Sequence, residues 1–160
     1  MYPWIVFVHV LSVLIFFMAH GASMVMAWQV RRERDLPRIQ AMLDLSNAAI
    51  PIAYGALLLL IVAGVAAGVM GGWFAMGWIW AAIVLLVVLF FVMYAYSARY
   101  FRPMRLAVGL PYHAPSTPDL RPKSQAEIEA AVTAGNPAML FVGSLAIVAV
   151  ILWLMMMKPF

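Results

Sequence analysis

Four long apolar runs, parted by two polar stretches and one apolar turn, set the pattern of the chain. Trp4 to Trp28 carries no charge and is interrupted chiefly by His9, Ser12, His20 and Ser23. A helix of about 20 residues crosses the hydrocarbon core of a bilayer, so this run is long enough to cross with a modest tilt. The second run extends from about residue 48 to 70, the third from about 77 to 96 and the fourth from about 137 to 157. The uncharged segment from Gly71 to Met76 predicts a tight transmembrane hairpin between the second and third runs. Pro51 and Pro137 are placed in the first turns of their spans, where a missing N–H removes little hydrogen bonding. The pattern predicts an all-α membrane protein, one domain over 1–160, with four transmembrane helices in an antiparallel bundle. Residues 29–47 and 97–136 are read as loops on one side. The first run is expected to be a span rather than a signal peptide, because it is long and no basic residue precedes it.

Composition strengthens this reading. The chain is 67% hydrophobic and only 10% charged, whereas soluble domains carry roughly a quarter charged residues. The net charge of +4 is concentrated beside the spans, so it points to anionic lipid rather than nucleic acid. Arg31, Arg32, Arg34 and Arg38 lie in the first loop, and Arg99, Arg102, Arg105, Arg121 and Lys123 in the third, while the second loop has none. Basic loops face the cytoplasm, so both termini are expected outside a bacterial inner membrane, with Lys158 dissenting. Trp4, Trp28, Trp73, Trp78, Trp80 and Trp153 fall near span ends, as an interfacial aromatic belt requires. The lack of cysteine excludes disulfides, thiolate chemistry and cysteine-ligated clusters.

Between Phe101 and Asn136 the chain turns polar, and Pro103, Pro111, Pro115, Pro118 and Pro122 predict an irregular path along the surface. Ser124-Gln125-Ala126-Glu127 fits a capping box, which predicts a short docking helix stopping at Gly135. His113 is expected to be solvated.

Candidate chemistry is concentrated in the first span. His9 and His20 are ionisable groups inside a membrane segment, and such groups mark function by default. Their spacing brings them within about 20° of one helix face, about 16 Å apart along the axis. Three functional readings and one structural reading stay open. Both histidines are candidates for haem b ligation, with Met70, Met93, Met139 or a symmetry-related histidine opposite. Both are also candidate copper ligands, with Met18, Met24 and Met26 around His20. A proton or substrate path is the third. In the structural reading each imidazole is neutral and hydrogen-bonded within the bundle.

Asp44, Ser46, Asn47 and Tyr54 gather polar atoms at the start of the second span, and Tyr54 and Asn47 are candidate neighbours of His20. Alternatively Asp44 pairs with the first-loop arginines, and Ser46 or Asn47 caps the helix. Gly64, Gly68 and Gly72 form two overlapping GxxxG steps, which predict close helix packing. No catalytic constellation, P-loop or dinucleotide fingerprint is present, so an enzyme is not expected.

The motif Val8-His9-Val10-Leu11, the Gly77-Trp78 pair and the closing Leu154-Met155-Met156-Met157-Lys158-Pro159 resemble the DUF2269 family of predicted bacterial integral membrane proteins. That family is distantly similar to copper resistance protein D and to four-helix b-type cytochromes. The resemblance implies a haem or copper role for His9 alone. His20 has no matching position, and the later spans lack the histidines of a bis-histidine cytochrome. The expectation is a small four-helix accessory subunit of a larger electron-transfer membrane assembly, with haem b at His9 and His20. A cofactor-free assembly protein and a copper-handling protein are the alternatives.

Overall fold

The computed structural model describes residues 1–112 and 120–160, so His113, Pro115 and Pro118 lie outside the described residues. Its helices are α1 (Tyr2–Val30), α2 (Leu36–Gly71), α3 (Gly77–Tyr96), α4 (Arg102–Ala107), α5 (Gln125–Thr133) and α6 (Pro137–Met157). Four helical stretches, Tyr2–Val30, Leu36–Gly71, Gly77–Ala107 and Gln125–Met157, are long and apolar enough to cross a bilayer. Val62, Val84, Phe91, Val142 and Leu152 are each more than half exposed on these helices. In water such a surface would be strongly unfavourable, whereas hydrocarbon solvates it, and the chain is a membrane protein on that ground.

The expected spans mark the membrane-crossing parts, but α2 begins well before its apolar run. Asp35 accepts a hydrogen bond from the Arg38 N–H and caps the helix, with proline in the first turn. Neither Ser46 nor Asn47 is the cap. Pro51 consequently lies inside α2 rather than at its entry, and its ring nitrogen offers no N–H to the Asn47 carbonyl.

The expected hairpin between the second and third spans is short but does not pack along its length. α1 runs along α2, α3 runs along α6, and α1 meets α6, while α2 and α3 make no comparable contact. α1 therefore packs on α2 and α6, and α6 on α3, while α2 and α3 approach each other at Gly68 and Ile79 and border a common cavity farther along. The connection turns at Gly72, whose φ of 67° is left-handed. Gly72 is thus a helix C-cap and not a third packing glycine. Gly72→Ala is expected to cost about 1–2 kcal/mol, read as a lower unfolding midpoint in detergent.

One apolar cluster lies at each end of the bundle. At the end carrying the termini, Trp78 is 1% exposed and packs with Ile79, Ala82 and Leu154. Trp78 is therefore core and not part of an interfacial belt. The chain end is strapped over it, with the Trp78 N–H donating to the Phe160 carbonyl at 3.3 Å. Lys158 departs from the expected charge pattern because its ammonium sits 4.0 Å from the centre of the Trp73 ring.

At the basic end, Val30, Ile39, Leu43, Met104, Val108, Ile128 and Val132 form the second cluster. Part of the segment expected to be irregular is thus a packed helical cap. After α3 the chain winds one wider turn over Ser97–Phe101 and continues as α4. Pro103 has no N–H for the Arg99 carbonyl, so the regular hydrogen-bond ladder cannot pass through that turn. The Ser124–Glu127 capping box forms as expected, and α5 ends at Thr133, just before Gly135. The Ser124 hydroxyl and N–H hold the Glu127 carboxyl below its ordinary range. Arg31 donates to the Gly135 carbonyl, and Arg34 pairs with Glu129 at 2.6 Å. These arginines tie the first loop to α5 and the start of α6.

Candidate functional site

The two histidines share a helix face and have different surroundings. His9 meets α2 where Gly64 removes the side chain that would otherwise hold the helices apart. A Cβ on Gly64 would lie 2.9 Å from His9 Cε1 and 3.0 Å from Nδ1. The ring nitrogen Nδ1 is 2.9 Å from the Leu60 carbonyl. A carbonyl only accepts, so this geometry fixes the Nδ1–H tautomer of neutral His9. Gly68 approaches Phe74 and Ile79 instead, so the two packing glycines serve different neighbours within one chain.

Eleven positions along, the same face of α1 borders open space. His20 stacks on Phe16 with the rings parallel and 6.0 Å apart. Its Nε2 is buried and has no hydrogen-bond partner. The ring borders a cavity of about 140 Å³ bounded by α1, α2 and α3 and a second of about 120 Å³ on the α6 side. Buried polar atoms are nearly always paired, so an unpartnered nitrogen on an imidazole that borders a cavity is a binding-site signature.

The larger cavity assembles residues that are far apart in sequence. Its floor is Phe16, Ala19 and His20, one wall includes Ser46 and Tyr54, and the facing wall includes Met93 and Tyr94. Tyr54 is 51% and Tyr94 60% exposed, which places a mouth between α2 and α3 at the apolar surface. Among the described residues no Asp, Glu, Lys or Arg side chain lines it. Of the expected surroundings of His20, Tyr54 lines the cavity and Asn47 does not, although Asn47 Oδ1 is also buried without a partner. Of the sulfur candidates, Met24 and Met93 border this cavity, whereas Met18, Met70 and Met139 are mostly exposed on the outer surface. Among the described residues no group of three or more His, Asp or Glu side chains is gathered as a metal site would require.

Asp44 belongs to a different feature. It pairs with Arg105 at 2.9 Å rather than with a first-loop arginine. The Arg105 side chain is buried, and it also donates to the carbonyls of Leu43 at 2.8 Å and Pro111 at 3.0 Å. Arg105 thereby clamps α4 to α2. From sequence it counts only as one more basic residue beside a span. Its one local signal is the run Met104, Ala107 and Val108 around it, which gives α4 an apolar face.

No family model matches the chain, and no curated protein or solved structure is found to be similar to it. Function is therefore argued from the geometry of His20 and its cavity.

Proposed function

We propose that this chain is a small four-helix subunit of a larger membrane assembly, contributing a ligand-binding site centred on His20. The observation that carries the reading is the buried, unpartnered Nε2 of His20 at a cavity whose mouth faces lipid. The basic end is assigned to the cytoplasm of a bacterial cell and both termini to the outside, on the distribution of Lys and Arg beside the spans.

Haem b is the cofactor reading with the sharpest test. A free Nε2 is what iron needs, and Met93 offers a sulfur across the cavity. The room is small, because an interior cavity of about 150 Å³ holds a single benzene. A porphyrin at His20 therefore requires α2 and α3 to move apart. At His9, the ring is packed against Gly64 and Leu60, and a ligand would have to take the remaining Nε2. In the haem reading, the purified, dithionite-reduced protein shows a Soret band and a pyridine haemochrome, and His20→Leu removes both. A featureless spectrum with protein folded and intact eliminates haem.

Copper is the second reading, supported by His20, Met24 and Met93 bordering one cavity of ion-compatible size. A cofactor-free assembly role is the third, and it predicts that replacing both histidines leaves partner association unchanged.

A further inference from the structure

The shape of the His20 cavity specifies a class of ligand. Resting on the reading of His20 as a binding residue, we propose that the cleft between α2 and α3 takes the head ring of a lipid-soluble quinone. The imidazole turns its buried Nε2–H toward the cavity and donates to one ring carbonyl, and the hydrocarbon tail leaves between Tyr54 and Tyr94 into the bilayer.

Three observations converge on this ligand. The cavity of about 140 Å³ matches one six-membered ring and not a fused macrocycle. The buried Nε2 is the polar anchor, and a plain hydrocarbon would leave it unpaired. Phe16 lies parallel to the imidazole, and Phe90 and Tyr94 also line the cavity, so aromatic surface is available to a flat ring.

Access follows from the gap between α2 and α3. α2 and α3 border one cavity and do not pack along their lengths, so the mouth between them opens sideways. A tailed molecule dissolved in the bilayer enters there without crossing water. The tyrosines at the mouth are half exposed, and their rings flank the path that a tail would take.

The test uses the full-length protein in detergent with a decyl-tailed benzoquinone as probe and decylbenzene as the matched hydrocarbon. Quinone binding is expected to be at least about tenfold tighter than decylbenzene binding. His20→Leu should lose about tenfold or more, while His20→Gln, which keeps a terminal N–H donor, retains most of the affinity. Equal binding of the quinone to the native protein and to folded His20→Leu overturns the proposal, as does equal binding of decylbenzene. If His20→Leu does not fold, an azido-quinone photolabel on the native protein decides. Labelling of Tyr54, Tyr94 or Phe90 supports the site, and labelling confined elsewhere overturns it. Failure here is separable from failure of the His20 reading. Haem or metal recovered in a His20-dependent manner, with no quinone binding, removes only the quinone, whereas no ligand dependent on His20 removes both.

Discussion

Arg105→Met is expected to be among the most destabilising single substitutions in the chain, at about 3 kcal/mol. The guanidinium holds two backbone carbonyls, those of Leu43 and Pro111, and one carboxylate, Asp44. Methionine restores some of the buried volume and none of the donors. Each carbonyl left without its donor in a buried setting costs about 1–3 kcal/mol. Asp44 adds little to that loss, because its side chain is 57% exposed and returns to water. The reverse deletion separates the contributions. Asp44→Ala leaves the buried guanidinium with its carbonyls but without a countercharge, and partial exposure of the site limits the cost to about 1–2 kcal/mol. Denaturant unfolding in detergent measures both variants, and hydrogen exchange over α4 locates the damage. An Arg105→Met protein with native stability and native protection in α4 would remove the clamp from the account of the fold.

The clamp also shows where sequence reading stops. The spans are legible because a bilayer demands long uncharged runs, and no three-dimensional knowledge is needed to count them. An arginine near a span end is legible only as charge. Whether it meets lipid headgroups or folds inward depends on carbonyls that another helix supplies. Arg31 and Arg34 follow the same logic, since their partners, Gly135 and Glu129, lie far along the chain. The start of α2 at Leu36 was signalled by Asp35 and Pro37, but hydropathy marks where a helix enters hydrocarbon and not where it begins.

The histidines illustrate the same limit at the site. Periodicity correctly places His9 and His20 on one face of α1, and from that alone the two are equivalent. They differ in what lies in front of each ring. Gly64 admits His9 to the backbone of α2, whereas near His20 the space between helices is left open. The cavity combines α1, α2 and α3, and beside Met93, one of three sulfur candidates in the later spans, its α3 side includes Tyr94, which no local pattern in the third span singles out. Gly64 itself was legible as a position of close approach, but its partner was not.

That partnership yields the second large prediction. Gly64→Ala places a methyl within 2.9 Å of His9 Cε1, so either the ring or α1 must move. Overpacking of this kind costs about 1–3 kcal/mol. His9→Ala separately removes the hydrogen bond to Leu60, and such bonds within membranes average about 0.6 kcal/mol with a maximum near 1.7. It also removes the ring that fills the space in front of Gly64. In the double variant the methyl at 64 occupies volume that the imidazole has vacated. The two costs therefore should not add, and the double variant is expected to be more stable than their sum by about 1–2 kcal/mol. Unfolding of the four proteins in one detergent, at protein concentrations low enough to keep them monomeric, gives that coupling directly. The glycine face has another reading, in which it packs against a second protein molecule. In that case Gly64→Ala would weaken association rather than intrachain stability, and removing the His9 ring would give no relief. Additive costs in the monomer would argue that Gly64 is not matched to His9, and would return His9 to the set of residues whose role is unassigned.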